Sequence, residues 1–421
     1  MKLWALVLLV SGIFPGLAQG YVVQMPSLPL FTMPALTEFD DYIVVFKDVV
    51  EDSENVALEL ASKQGFNLDQ VYGSVLKGFA GRLSRAALAR LQKDSRIAYI
   101  TEDREVHTFA WPFVTQVTKQ TLPTGVDRID AEMATNTGNG ISVAVIDTGI
   151  DLTHPDLKSS IVAQKNCVLG KINANDDNGH GTHVAGTIGG RNNSEGVVGV
   201  APGVNLVAVK VLNAQGSGTW SQIICGIDWV TSNASRYNIK VANMSLGGGA
   251  LSDNNCGLSN NDPLHRAICR SRDAGVTYVV AAGNSGVNAS GTVPANYDDA
   301  VITVSALADS DGKSGGLGAS TPYGADDTFA SFSNYGSVVD IAAPGVRIYS
   351  TWKNKGYNTI SGTSMATPHV AGAAALYIKS NPGKSWSQVR DALRSLGEAS
   401  GSGHTDPSGL HPEPVLKASS L

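Results

Sequence analysis

Beyond its first twenty residues, this 421-residue chain has no apolar run of the roughly 18 residues that a membrane-spanning helix needs. Charge is sparse: 16% of residues, with 31 Lys and Arg against 37 Asp and Glu, a net −6. No basic stripe occurs, which argues against nucleic acid as a partner. Only four cysteines are present and none lies in a CxxC pair, so the usual spacing of a zinc site is missing. No acidic loop has the ligand positions and closing Glu of an EF-hand. Glycine, by contrast, is abundant at 46 residues, many in "GG", "GSG" and "GNG" clusters. That composition suits an α/β protein with many tight turns, and the length allows two or three domains.

The start, "MKLWALVLLVSGIFPGLAQG", has Lys2, an apolar run from Leu3 to Phe14 and small residues near position 20. It reads as a signal for export over 1–20, too short to span a membrane. In an oxidising compartment the four cysteines point to two disulfides. Three pairings are open; the short loop favours Cys256 with Cys269, which leaves Cys167 with Cys225.

Residues 21–40 are Pro-rich and aperiodic, and read as a linker. From Tyr42 the pattern is strand, helix, one or two strands, helix and strand: "YIVVFK", "SENVALELASKQG" with Val56, Leu58, Leu60 and Ala61 as apolar positions, "VYGSVLKGFAGRLS", "RAALARLQKD" and "IAYITEDREV". That order predicts a small α+β ferredoxin-like domain over 41–109. Beyond Pro123 the style changes. "ISVAVID", "NLVAVKVL", "KVANMSL", "TYVVAAGN" and "AVITVSAL" are continuous apolar runs, the mark of parallel strands buried on both faces. With helices at "THVAGTIGG", "WSQIICGIDWVTSNA" and "PLHRAICRSRDAG", the expected fold of 110–421 is an α/β doubly wound, mostly parallel sheet. The end, 400–421, reads as a tail packed loosely on the surface.

Sites in such sheets lie beyond the carboxyl ends of strands. Asp147 ends "VAVID", His180 stands between glycines at a helix entry, Asn284 follows "YVVAAG" and Ser364 opens the helix of "ISGTSMATPHVAG". A helix N-terminus offers unpaired N–H groups to a developing anion, and Pro368 is expected in the first helical turn, where its missing N–H costs little. Serine needs a base to become a nucleophile. A neutral His can take its proton, a buried Asp can fix the His tautomer, and the Asn284 amide can donate to an oxyanion.

"VAVIDTGI", "NGHGTHVAG" and "GTSMATPHVAG" resemble the three signature blocks of the subtilisin-like serine peptidases, with details similar to the proteinase K branch, over roughly 123–400. The resemblance implies a secreted endopeptidase, monomeric and without a membrane anchor, acting on protein or peptide substrates. It implies Asp147, His180 and Ser364 as the triad and Asn284 in the oxyanion hole, with no cofactor needed for the chemistry. It also implies that 41–109 is an inhibitory propeptide, an intramolecular partner cut within His107–Ala110, after Phe109. Gly216, Ser217 and Gly218 of "GSGTWS", Ser245, Leu246 and Gly247 of "NMSLGGG", and Gly283 are the implied substrate-binding residues. No acidic residue in those segments calls for a basic substrate residue, so apolar or aromatic ones are expected.

Family likeness further implies structural calcium, for which Asp309 and Asp311 in "ADSDGKSGG", near Asp326 and Asp327, and the Pro294 carbonyl in "VPANYDD" are candidates; solvated acidic loops are the plain alternative. The G-x-S-x-G match at 312–316 lies in a polar loop, not a strand–helix elbow. His183 and His369 read as packing residues near the site. Asn192, Asn233, Asn243 and Asn288 begin N-x-Ser sequons, of which Asn243 is expected to be buried. An esterase with the same triad, or an inactive peptide-binding relative, are the competing functions.

Overall fold

The computed structural model describes residues 39–108, the backbone of 111–115 and residues 119–421. The expected signal at 1–20, the linker up to 38, and Phe109 and Ala110 at the expected cleavage point lie outside the described residues.

The first domain runs β1 (Phe39–Phe46), α1 (Ser53–Gln64), β2 (Leu68–Tyr72), β3 (Gly78–Ser84), α2 (Arg85–Leu91) and β4 (Ile97–Glu102). Its sheet has the order β2-β3-β1-β4 with every pair antiparallel, the ferredoxin-like arrangement. The Asp52 carboxylate accepts the Asn55 N–H at 3.0 Å and starts α1. Ala57, Leu60 and Ala61 bury one stripe of that helix; Leu58, read as a core position, is 52% exposed instead. The expected linker also ends earlier than position 40, because Phe39 and Asp40 already pair with Ser84 and Leu83.

"IAYITEDREV" is not one strand. After β4 the chain leaves the sheet, and β5 (Glu105–Thr108) joins another. The break falls at Asp103, whose carboxylate accepts the Ser221 N–H at 2.9 Å and the Ser221 hydroxyl at 2.5 Å. That caps a helix 118 residues away, a partner no local pattern reveals.

The second part continues with β6 (Trp111–Thr115), α3 (Thr124–Arg128), β7 (Ser142–Asp147), β8 (Ile161–Asn166), α4 (His180–Gly189), β9 (Asn205–Lys210), β10 (Ser217–Thr219), α5 (Trp220–Tyr237), β11 (Ile239–Met244) and β12 (Leu246–Gly249). Then follow α6 (Pro263–Asp273), β13 (Thr277–Ala281), β14 (Thr292–Val293), β15 (Val301–Ala308), β16 (Thr328–Phe329), β17 (Ile341–Pro344), β18 (Ile348–Trp352), β19 (Gly356–Ser361), α7 (Thr363–Ser380) and α8 (Trp386–Leu396). The main sheet has the order β16-β15-β13-β11-β7-β9-β8, with β17 also on β15. Its pairs are parallel except β15 with β16.

Strand β7 explains why its sequence does not alternate. Val143 and Val145 pack into the core shared with α4 and α7, while Ala144 and Ile146 pack into the core shared with α5 and α6. Both faces are dry, so both sets of side chains are apolar. Each fully buried Val or Ile contributes about 1.5–3 kcal/mol, so a charge at Val145 would break the layer.

Disulfides join Cys167 to Cys225, tying the end of β8 to α5, and Cys256 to Cys269. The C-terminal tail is not loose. Leu416, Ala418 and Leu421 are buried in the same core as α7, the Leu416 N–H bonds the Ala342 carbonyl at 2.8 Å, and the His411 ring stacks on Phe329.

Candidate active site

Three neighbouring strands of the parallel sheet end at the site. Asp147 is the last residue of β7, Ser245 follows β11 and Asn284 follows β13. Asn243 pairs with Val145, so Ser245 and Asp147 stand at the same level on strands about 4.8 Å apart.

Asp147 is fully buried, a costly place for a carboxylate without partners. It accepts the Thr148 N–H at 2.7 Å, and its Oδ1 and Oδ2 lie 2.8 and 3.0 Å from His180 Nδ1. A carboxylate only accepts, so Nδ1 carries the proton and Nε2 of the neutral ring keeps its lone pair. Among the described residues nothing bonds that buried Nε2.

His180 is the first residue of α4, and the two glycines around it have separate causes. Gly179 sits at φ 116° against the Trp352 ring, where a Cβ would come within 2.3 Å. A Cβ on Gly181 would meet the Gly149 carbonyl at 2.2 Å and Asp147 Oδ1 at 3.1 Å, so only glycine lets the helix approach the carboxylate. The start of α4 is held by Asp176, a residue the sequence reading passed over. Its carboxylate accepts N–H groups of Asn178, Gly179 and Thr182 and hydroxyls of Thr148 and Thr182. Burial pushes its pKa up against those bonds. An acid four places before His180 was its only signal, hidden in the run "DDNGHG".

Ser364 is the second residue of α7. Its hydroxyl donates to the Ser245 carbonyl at 3.0 Å, and the Ser245 hydroxyl donates to the Ser364 carbonyl at 2.9 Å. Pro368 accounts for the second bond. It lies inside α7 rather than in the expected first turn. The Ser364 carbonyl is the acceptor that residue 368 would satisfy in an unbroken helix, and proline has no N–H to give. Ser245, itself held by the Asn243 amide at 2.9 Å, supplies the missing donor. The helix therefore anchors Ser364 to the end of β11 through the gap Pro368 leaves.

Asn284 Oδ1 accepts both the N–H and the hydroxyl of Thr363, at 2.9 and 2.7 Å, and the Gly283 N–H donates to that hydroxyl at 3.2 Å. With Oδ1 so fixed, the amide nitrogen faces away from Thr363. Gly283 thus sits behind Asn284. His183 donates through Nε2 to the Ile348 carbonyl, and burial pushes its pKa down to about 3. His369 donates to the Met365 carbonyl one turn back and is pushed down to about 4, again by burial. Both rings are neutral packing groups.

The groove beside these residues holds β5. It pairs antiparallel with β10 on one side, Ser217 to His107, Gly218 to Val106 and Thr219 to Glu105. On the other side it pairs with β12, Leu246 to Thr108 and Gly247 to His107. The Thr108 N–H adds a bond to the Gly216 carbonyl at 2.9 Å. Of the segment read as binding a substrate backbone, Leu246 and Gly247 pair with the strand, whereas Ser245 turns to Ser364. The rest of the first domain docks on α5 and α6. Asp228 accepts the Ser74 and Val75 N–H groups at 2.7 Å, and Asp48 pairs with Arg266 and Arg270.

Asp309, Asp311 and Asp326 converge, their carboxylate oxygens within 4.8 Å of one another. Asp327 is drawn into an ion pair with Arg128 instead. The Pro294 carbonyl accepts the Tyr297 N–H in a turn.

A carboxylate-bound imidazole, a helix-start serine on the adjoining strand end and an extended chain lying in the groove define a serine hydrolase built for polypeptide. Known proteins make the class specific. Residues 138–406 match the Subtilase family, and residues 41–109 match the Peptidase inhibitor I9 family. The "Extracellular serine proteinase" of Thermus sp. (strain Rt41A) is 42% identical over 347 residues, 80% of this chain and 75% of that protein. The "Alkaline protease" of Alkalihalobacillus alcalophilus is 39% identical over 369 residues, 87% of this chain and 86% of that one. The crystal structure of a cold adapted subtilisin-like serine proteinase aligns at a TM-score of 0.58 and 39% identity, covering 70% of this chain and 97% of that chain. The chain belongs to the subtilase family: it is a subtilisin-like serine proteinase carrying an N-terminal inhibitor-type propeptide. Among the described residues, no helix is long and apolar enough to cross a membrane.

Proposed function

We propose that this protein is the precursor of an exported endopeptidase that matures by cutting its own chain within His107–Ala110. The observation that carries the reading is β5, a piece of the chain bound as a third strand between Ser217–Thr219 and Leu246–Gly249 and running toward Ser364. Strand addition of this kind accepts many sequences because main-chain bonds supply the affinity. The groove segments carry no carboxylate, which supports apolar or aromatic residues beside the cut bond.

In the proposed reaction, Ser364 turns its hydroxyl from the Ser245 carbonyl to His180 Nε2. His180 takes the proton as Oγ attacks the scissile carbonyl carbon, and Asp147 keeps the Nδ1–H and steadies the imidazolium. The Asn284 amide and the Ser364 N–H bond the oxyanion. His180 then protonates the leaving amine, and water releases the acyl group by the same steps in reverse. These groups suffice for the chemistry without a cofactor. Export follows the Thermus relative's description as extracellular and the apolar start of the chain.

Replacing Ser364 by Ala is expected to lower turnover by about 10⁶ and replacing Asn284 by Ala by about 10²–10³; both sizes are those found for subtilisin itself, not worked out from these distances. The test is N-terminal sequencing of the secreted protein together with digestion of an unfolded protein substrate. Ser364→Ala should accumulate uncut precursor, while the parent should begin within 108–110. Ester hydrolysis without protein digestion would favour the esterase, and a parent that starts near residue 20 while active would end the zymogen reading.

A further inference from the structure

Helix α5 begins beside the groove, and its first N–H groups need partners that the helix itself does not supply. The N–H of Thr219, just before the helix, turns to the Gln222 side chain at 3.1 Å. The next two N–H groups are bonded by the first domain. That of Trp220 donates to the Arg104 carbonyl at 2.8 Å, and that of Ser221 to the Asp103 carboxylate at 2.9 Å. The Ser221 hydroxyl donates to the second Asp103 oxygen at 2.5 Å. The Arg104 guanidinium lies over the Trp220 ring, 4.9 Å from its centre. These contacts carry the line of β5 two residues past Glu105, its last pair with β10.

Arg104 and Trp220 also line a cavity of about 340 Å³. Leu251 on its wall is 73% exposed and offers apolar surface to the stem of a long cationic side chain, while Asn260, Asn261 and Asp262 make the rest of the wall polar. Nothing in Trp220 or Ser221 ties them to the propeptide in particular. Two amides, a hydroxyl and a ring face recognise a carboxylate, a carbonyl and a cation on any extended chain that enters the groove in the same register.

We propose that in the processed enzyme Trp220 and Ser221 form a substrate subsite beyond the groove strands, selective for an Asp followed by Arg or Lys. The inference rests on the function proposed above, in which β5 lies as a substrate does. Val106, fully buried, fixes the register: the basic residue stands two places before it and the acidic one three. With cutting after Phe109, these are the fifth and sixth residues before the one whose carbonyl is attacked. The acidic side chain gains two charge-assisted hydrogen bonds at a helix start, where the partial positive charge favours it. The basic side chain gains the face of the Trp220 ring. The Trp220 N–H, bonded to a main-chain carbonyl, holds the register and carries no preference. Strand pairing alone accepts many sequences, so selectivity this far from the cut bond comes from these two side-chain contacts.

The probe is a peptide of residues 101–112, "TEDREVHTFAWP", beside versions carrying Asp103→Ala, Arg104→Ala and both. Each is cut by the processed enzyme and by its Ser221→Ala and Trp220→Leu variants; kcat/KM is measured and mass spectrometry locates the cut. On the parent enzyme, Asp103→Ala should lower kcat/KM about tenfold and Arg104→Ala about threefold. On Ser221→Ala the penalty for Asp103→Ala should shrink to about threefold, and on Trp220→Leu the penalty for Arg104→Ala should vanish. Each penalty compares two peptides on one enzyme, so a general loss of activity in a variant cancels. Equal kcat/KM for all four peptides on the parent enzyme would overturn the subsite and leave the endopeptidase reading standing. So would penalties unchanged in both enzyme variants, or a main cut outside His107–Ala110. A processed enzyme that cuts neither these peptides nor an unfolded protein would overturn the function proposed above, and the subsite with it.

Discussion

Asp228 offers a way to loosen the propeptide without touching the site. It projects from α5, and its Oδ1 accepts two propeptide N–H groups, from Ser74 and Val75, each at 2.7 Å. Hydrogen bonds to a charged acceptor contribute about 1.5–3 kcal/mol each, so the pair spans about 3–6 kcal/mol. Burial works against the charged form and pushes the Asp228 carboxyl up, so desolvation takes back part of the gain. The lower end, about 3 kcal/mol, is therefore the better figure. Asp228→Ala should weaken inhibition of the mature enzyme by propeptide added in trans by about 100-fold, at 1.4 kcal/mol per tenfold. Asp228→Asn keeps an acceptor without the charge and should lose about tenfold. The assay is the inhibition constant from progress curves, with kcat/KM on a small peptide as the control. A change below threefold for Asp228→Ala would refute the view that these bonds anchor the propeptide, and a fall in kcat/KM would show that α5 itself had moved.

Cys167–Cys225 closes a loop of 58 residues and Cys256–Cys269 one of 13, so removing each pair should cost about 4 and about 3 kcal/mol by chain entropy, read from chemical denaturation of the inactive precursor. Deleting 416–421 removes the buried Leu416, Ala418 and Leu421 and should cost about 5 kcal/mol, lowering Tm by about 6 °C; an unchanged Tm would restore the loose-tail view. Burial would raise the Glu398 pKa, but bonds from His404 and Arg128 and the charges of Arg128 and Lys417 outweigh it and hold the carboxyl down to about 2. A depressed pKa gives stability that is complete above the unfolded value of about 4.3 and lost as pH falls toward 2. The Tm gap between parent and Glu398→Gln should therefore be widest above pH 5 and close between pH 4.3 and 2, and a constant gap would count against it.

What could be read without coordinates was whatever local pattern specifies. Apolar runs such as "SVAVID" and "VITVSALA" marked parallel strands because both faces of those strands are dry. Asp147, His180, Asn284 and Ser364 stood out because strand ends and helix starts are where an α/β sheet puts its polar groups. The misses have distant causes. Asp103 breaks "IAYITEDREV" by capping a helix far along the chain. Leu416, Ala418 and Leu421 have no period, since an irregular tail fills a core gap rather than presenting a helical stripe. Pro368 reads as a first-turn residue of α7 because its compensation, the Ser245 hydroxyl, comes from the link after β11, far away in the chain.

The central claim is that Ser364 is the nucleophile and His180 Nε2, unpartnered here, is its base. The direct measurement is the structure of the processed protein after reaction with a serine-directed phosphonate. The account predicts one adduct, on Ser364 Oγ, with His180 Nε2 within hydrogen-bond distance of that oxygen and the Asn284 amide donating to the phosphoryl oxygen. An adduct on another serine, or His180 turned away from Ser364 in the labelled protein, would contradict it.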